Sequence, residues 1–165
     1  MGIDVDTLVA IENIIGSQYS DRQIGNDEAN SLTGGDGEDL LLSKGGDNLI
    51  LGGEDKNILR GGKGQDTFLY LNSYEDVDRI FDFEAGVNMI KLFTEGFSNK
   101  LVAGTLPEKY SIEETKAIAP EQHFICDRNS GKLHFDLDGK GTVEQVLIIT
   151  FDGYPVLNAK NIYLF

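Results

Sequence analysis

The sequence predicts an all-β protein: a parallel β-roll, followed by a C-terminal antiparallel β region with one short helix. The roll is a right-handed solenoid of nonapeptide repeats. Three observations predict this fold. A nine-residue unit runs six times without a gap from Gly16 to Leu69, and an apolar residue recurs in it at a fixed phase. After Leu69 the period stops, and longer stretches of alternating apolar and polar residues follow.

Three of the nine positions define the repeat. The first is glycine in five units, with Ser43 as the exception: Gly16, Gly25, Gly34, Gly52 and Gly61. The sixth is always Asp or Asn: Asp21, Asn30, Asp39, Asn48, Asn57 and Asp66. The eighth is apolar in five units, with Gln23 as the exception: Leu32, Leu41, Ile50, Leu59 and Phe68. Glycine and Asp are common in plain loops, but six units in register leave a loop interpretation little room.

The spacing divides each unit into a turn and a strand. Positions one to six form a turn, where glycine supplies positive φ and lets the backbone approach a ligand closely. Positions seven to nine form a strand too short to be stable alone, so coil must stack on coil in a parallel array. Two units, eighteen residues, complete one coil. Turns one, three and five therefore stack on one edge, and turns two, four and six stack on the other.

The stacked turns predict a cation. Stacked carboxylates repel each other and leave turn carbonyls unpaired, and Ca²⁺ accepts six to eight oxygen ligands of both kinds. The position-six residues are Asp21, Asp39 and Asn57 on the first edge, and Asn30, Asn48 and Asp66 on the second. The three Asn residues keep a carbonyl ligand but lose charge, which lowers the expected affinity most on the second edge.

The repeat resembles the nonapeptide G-G-x-G-x-D-x-U-x of the RTX (repeats-in-toxin) family, the haemolysin-type calcium-binding repeat. The resemblance implies a roll that binds several Ca²⁺ ions, in a bacterial protein exported by type I secretion. It implies that the position-six residues are ligands. It extends the metal site to other turn residues, namely Gly34, Gly35, Gly37, Gly45, Gly46, Gly52, Gly53, Gly61, Gly62, Gly64 and Asp36.

The segments on either side of the repeat also resemble parts of such proteins. Residues 1–15 are expected to cap the roll, because they end in an IEN-(apolar)-(apolar)-G stretch, completed by Gly16, that resembles the usual lead-in. The stretch DVDRIFDFEAGVNMIKL, residues 76–92, resembles the segment that follows the roll in serralysin-type C-terminal domains. Its Asp78 and Asp82 could close a further calcium site or cap the roll. A role as turn and strand-edge residues is an equal alternative.

Residues 70–165 are expected to form a C-terminal β domain. Residues 97–107 read as loop, and Ser111 with Glu114 forms a capping-box start for a short helix that ends before Pro120. QHFICDR and KLHFDLD predict a β-hairpin, and VEQVLIITF and AKNIYLF predict two more strands. The apolar tail resembles the uncleaved C-terminal signals of proteins exported by the type I secretion machinery.

The amino-acid composition restricts the kinds of partner that the chain can bind. The formal net charge of −14 argues against nucleic acid and anionic polysaccharide, and it favours cations. No membrane-spanning segment and no N-terminal signal peptide are expected from the sequence. The single cysteine, Cys126, excludes an internal disulfide and is expected to be buried. His123 and His134 are expected to be ordinary strand residues, because two His without a third ligand make a poor zinc site.

Two classes of function remain, and both place the protein outside the cell, secreted or at the cell surface. The first is a calcium-binding module that folds on Ca²⁺ outside the cell and supports type I secretion of a larger exported protein. The second is an extracellular binding module, lectin-like, polysaccharide-binding or adhesin, with glycan as its partner and structural calcium. The chain contains no HExxH, GxSxG or P-loop motif, so it is not expected to be an enzyme.

Overall fold

The structure is a computed structural model. It describes residues 11–98, 101–107, 123–138 and 144–165, together with the backbone of residues 111–112. Fifteen strands dominate it. The first nine are β1 (Asn13–Ile15), β2 (Arg22–Ile24), β3 (Ser31–Gly35), β4 (Leu40–Leu42), β5 (Leu49–Gly53), β6 (Ile58–Arg60), β7 (Thr67–Tyr70), β8 (Asp78–Ile80) and β9 (Met89–Leu92). The others are β10 (Gly104–Thr105), β11 (Ser111–Ile112), β12 (Phe124–Asp127), β13 (Lys132–Phe135), β14 (Val146–Phe151) and β15 (Ile162–Leu164).

Successive strands of the repeat alternate between two sheets. One sheet has the order β1-β3-β5-β7-β9-β15-β10, and the other has the order β11-β12-β13-β14-β8-β6-β4-β2. Within the repeat all pairs are parallel, and each residue pairs with the residue eighteen positions further on, as Leu32 does with Ile50 and Leu41 with Leu59. The predicted parallel β-roll with an eighteen-residue coil is thereby confirmed.

The core of the roll is the column of position-eight side chains. All five apolar members are at most 1% exposed: Leu32, Leu41, Ile50, Leu59 and Phe68. Gln23, the polar exception, is buried as well, and its Nε2 donates a hydrogen bond of 2.7 Å to the carbonyl oxygen of Thr33. The amide is satisfied at this end only, because its Oε1 is buried without a hydrogen-bond partner.

The C-terminal strands continue both sheets. β14 pairs in parallel with β8, and β15 pairs in parallel with β9. Beyond these junctions β13 pairs antiparallel with β12 and β14, and β10 pairs antiparallel with β15. The outermost strand of the second sheet, β11, is parallel to β12. The predicted hairpin is confirmed, with Phe124 opposite Phe135. Because these strands share one buried cluster with the roll, from Leu32 to Leu164, they close its open end.

The expected helix differs from the observed one. The described α-helix, α1, is Thr94–Phe97, and it buries Phe97 against the C-terminal strands. The expected start at Ser111 is wrong, because Ser111–Ile112 is strand β11, paired in parallel with β12. Residues 113–122, the remainder of that expected helix, lie outside the described residues. In the part of the chain that the structure describes, no helix is long and apolar enough to cross a membrane.

Candidate metal centre

The position-six side chains of the first edge form a hydrogen-bonded ladder. The backbone N–H of Asp21 donates to Oδ1 of Asp39 at 2.7 Å, and the N–H of Asp39 donates to Oδ1 of Asn57 at 2.9 Å. The N–H of Asn57 donates to Oδ1 of Asp78 at 2.9 Å. Each of these hydrogen bonds therefore links one turn to the next. Each uses only one side-chain oxygen, Oδ1, of the accepting residue.

The second edge repeats this arrangement. The N–H of Asn30 donates to Oδ1 of Asn48 at 2.8 Å, and the N–H of Asn48 donates to Oδ1 of Asp66 at 3.2 Å. Asn88 accepts from the N–H of Asp66 at 3.0 Å and ends the ladder. Sequence reasoning did not place Asn88 in the site. The available signal was its position in the segment after the roll, where Asp is usual.

Three carboxylate oxygens on these ladders have no hydrogen-bond partner in the structure. They are Oδ2 of Asp39, Asp66 and Asp78, and all three residues are buried. The buried hydroxyl of Tyr70 interacts with the Asp78 carboxylate, so Asp39 and Asp66 are the clearer cases. A carboxylate oxygen that has lost water and gained no donor is costly in free energy unless a cation compensates it. These oxygens therefore fit a metal ion.

The position-one glycines leave room beside these oxygens. A Cβ on Gly34 would lie 2.1 Å from Oδ2 of Asp39 and 2.4 Å from the carbonyl oxygen of Gly52. A Cβ on Gly16 would lie 2.6 Å from Oδ2 of Asp21 and 2.1 Å from the carbonyl oxygen of Gly34. A carboxylate of one turn and a carbonyl of the next thus crowd the same face of a glycine. This mixture of oxygen donors suits Ca²⁺.

The remaining candidate residues lie in the same turns but in different environments. The first-edge glycines are Gly34, Gly35, Gly37, Gly52 and Gly53, and those of the second edge are Gly45, Gly46, Gly61, Gly62 and Gly64. Asp36 is exposed and off the ladder. Asp82 accepts the N–H groups of Gly61 and Gly62 at 3.0 and 2.9 Å, so it caps a turn of the second edge.

Carbonyls must supply most of any cation shell. Among the residues that the structure describes, no three His, Cys, Asp or Glu side chains gather closely enough to hold a metal ion. Cys126 is buried, as expected. His134 pairs with Ile125 in the hairpin, whereas the Nδ1 of buried His123 lies 2.8 Å from the carbonyl oxygen of Asp136. A bound ion would therefore be coordinated by at most two Asp, Glu, His or Cys side chains, and turn carbonyls would complete its coordination shell.

Burial makes the ladder carboxylates hard to ionise without metal. Desolvation raises the pKa of Asp39 from 3.8 to about 6, against the hydrogen bond from Asp21 N–H, which lowers it. Desolvation also raises the pKa of Asp78 from 3.8 to about 7 and raises the pKa of Asp66. A cation favours the ionised forms, so its binding would release protons from these groups.

The metal-free roll should therefore be more stable in mild acid than at neutral pH. A raised folded-state pKa gives stability that is complete below 3.8 and is lost as the pH rises through about 6 for Asp39 and about 7 for Asp78. Thermal melts of chelator-treated, desalted protein should show a higher Tm at pH 5 than at pH 8. With saturating calcium the order should reverse, because protons then compete with the ion. A metal-free Tm that rises from pH 5 to pH 8 would contradict this assignment.

Comparison with known proteins identifies the repeat. The family of the RTX calcium-binding nonapeptide repeat (four copies) matches residues 15–50 and 33–68. No curated protein matches the chain. A similar solved structure is the AlgE6R3 subunit of the mannuronan C5-epimerase from Azotobacter vinelandii, with a TM-score of 0.57 and 24% sequence identity. That match covers 96% of this chain and 85% of the other, and at this identity it concerns the fold alone.

The match to the repeat family spans the ladder residues from Asp21 to Asp66 and the glycines beside them. Asp78 and Asn88, which end the two ladders, lie beyond it. Repeats of this family bind several Ca²⁺ ions, which agrees with the unpaired buried carboxylate oxygens at the stacked turns. The expected resemblance is confirmed for the repeat: residues 15–68 match the RTX calcium-binding nonapeptide repeat.

Proposed function

We propose that this chain is a calcium-dependent folding module of a larger protein exported by type I secretion, with residues 16–69 as the calcium-binding roll and 70–165 as its C-terminal β domain. The observation that carries the proposal is the unpaired Oδ2 of Asp39 and Asp66 at the stacked turns. Their burial is unfavourable until a cation arrives. Binding free energy therefore becomes folding free energy.

The charge of the chain supports a switch between two compartments. A formal net charge of −14 opposes compaction when calcium is scarce, as it is in the cytosol. Outside the cell calcium is about millimolar, within the working range of extracellular calcium modules. Ions that bind only the folded state then stabilise it by mass action. The chain would cross the envelope unfolded and fold after export.

The position of the C-terminal tail also supports export before folding. β15 lies between β9 and β10, and Leu164 is fully buried. The N–H of Phe165 donates to the carbonyl oxygen of Leu92 at 3.1 Å, and the carbonyl oxygen of Phe165 accepts from the N–H of Thr94 at 3.0 Å. A tail held in this way is hidden in the folded state. The secretion machinery would read it only in the unfolded chain.

The test is a calcium titration of chelator-treated protein, followed by far-UV circular dichroism with the number of bound ions measured in parallel. We expect a cooperative gain of β signal with several ions bound per chain and little response to magnesium. The C-terminal signal is tested separately, by removing residues 162–165 and measuring export through a type I transporter. Full β structure in excess chelator would refute the folding switch, and unchanged export would refute the signal.

A second candidate is an extracellular glycan-binding module, and one surface feature favours it. Tyr74 is 90% exposed and lines an open cleft of about 390 Å³ with Asn72, Glu95 and Leu137. An exposed aromatic ring beside polar groups suits stacking against a neutral sugar. The acidic chain disfavours an anionic polysaccharide. In either role we propose that the chain has no enzymatic activity of its own.

Glycan-array binding at saturating calcium separates the two candidates. Binding that Tyr74→Ala abolishes without changing the calcium-dependent circular dichroism would establish the glycan site. Binding of no glycan by well-folded protein would leave the folding module as the function.

A further inference from the structure

The amide nitrogen of Asn48 lies inside a shell of oxygen atoms on the second edge. Nδ2 is 3.1 Å from the carbonyl oxygen of Gly45 and 2.8 Å from that of Gly46, both in its own turn. It is 3.2 Å from the carbonyl oxygen of Gly61 and 2.8 Å from Oδ1 of Asp66, both in the next turn. Three carbonyls and a carboxylate from two stacked turns thus surround one nitrogen.

The orientation of this amide follows from its other end. Oδ1 of Asn48 accepts the backbone N–H of Asn30 at 2.8 Å, so an oxygen must stand on that side. The nitrogen consequently points into the oxygen shell, where its two hydrogens meet acceptors only. The reverse orientation would set Oδ1 against four oxygens and Nδ2 against a donor.

We propose that the Asn48 amide takes the place of a calcium ion between the turns of residues 43–48 and 61–66, so that this site is metal-free in the native protein. The inference rests on the proposed function, in which other turns of the roll bind calcium. The oxygens stand at 2.8–3.2 Å from the nitrogen, the range of N–H···O hydrogen bonds. Ca²⁺ requires 2.3–2.6 Å and a vacant centre.

Asp39, at the same repeat position on the first edge, shows the contrast. Its Oδ1 accepts a backbone N–H from the preceding turn, as Oδ1 of Asn48 does. Its Oδ2 lies beside Gly34 and has no hydrogen-bond partner. Asp39 thus leaves an oxygen for an ion, whereas Asn48 supplies its own donor. Asn57 follows the Asn pattern, because its Nδ2 donates to the carbonyl oxygens of Glu54 and Asp55 at 3.2 Å each.

Asn48→Asp tests the inference, with bound calcium counted by equilibrium dialysis and elemental analysis of the full chain. Asp supplies a carboxylate and removes the donor, so this variant should bind one more ion per chain than the wild type. Without calcium its Tm should fall below that of the wild type. Asn129→Asp adds the same charge at the exposed hairpin turn and should change neither quantity.

The inference is overturned if Asn48→Asp binds no more calcium than the wild type, or fails to fold at saturating calcium. Asn48→Ala is the complementary variant: its ion count should equal that of the wild type, and the loss of an ion would show that Asn48 is a ligand. A wild type that binds no calcium would refute the proposed function. A gain of one ion by Asn48→Asp in that case would still support the inference.

Discussion

Gly62→Ala is expected to destabilise the roll by roughly 2–4 kcal/mol, with or without calcium. A Cβ at this position would lie 1.8 Å from the carbonyl oxygen of Lys44, in the turn stacked above. Moving that oxygen away would weaken the hydrogen bond of 2.9 Å that it accepts from the N–H of Lys63. Gly62 also has φ +90, which strains any L side chain. Denaturant unfolding at saturating calcium, followed by circular dichroism, measures the loss.

Gly86→Ala is the matched control. Gly86 has the same φ of +90, but nothing lies within 4 Å of a Cβ built on it. The free energy of unfolding of this variant should therefore fall only by the cost of holding alanine at a positive φ, roughly 1 kcal/mol. The difference between the two variants isolates the steric cost of stacking one turn directly on another. Equal losses would mean that the turns can separate to admit a methyl group.

Asp39→Asn should remove at least one bound calcium ion and stabilise the metal-free protein. The new amide keeps the oxygen that accepts the N–H of Asp21 and brings Nδ2 towards the carbonyl oxygen of Gly52. It also removes a buried carboxylate whose pKa desolvation raises to about 6. Ion counting and melts in chelator should therefore show a lower calcium stoichiometry together with a higher metal-free Tm at pH 8.

Asp36→Asn controls for charge. Asp36 lies in the same turn and is exposed, so this variant should keep the wild-type ion count. If Asp39→Asn bound calcium with wild-type stoichiometry, the ladder carboxylate would not be a ligand. An equal loss of ions in both variants would show that the buried Oδ2 of Asp39 is not special: either Asp36 is a ligand too, as the resemblance implies, or net charge governs binding.

The expected calcium chemistry and the observed ladders agree because the repeat is regular. An Asp or Asn recurs at position six every nine residues, and the coil of eighteen brings Asp39 next to Asp21 and Asn57. Asp78 and Asn88 join the same ladders although they are more than eighteen residues from their ladder neighbours, because Ile58 pairs with Arg79 and Thr67 pairs with Met89. Without a repeat to count, the sequence alone could not align these residues with Asn57 and Asp66.

By itself the sequence determined the roll, its coil length, the edges on which the position-six side chains stack and the inward side chains. All of these follow from one period, because each coil repeats the environment of the last. Only the tertiary structure decided that β14 and β15 join the two sheets of the roll, that Asp82 caps a turn, and that Asn48 turns its nitrogen into the oxygen shell. These outcomes depend on which distant strand edge is free and which acceptors need a donor, and neither is encoded in a local pattern.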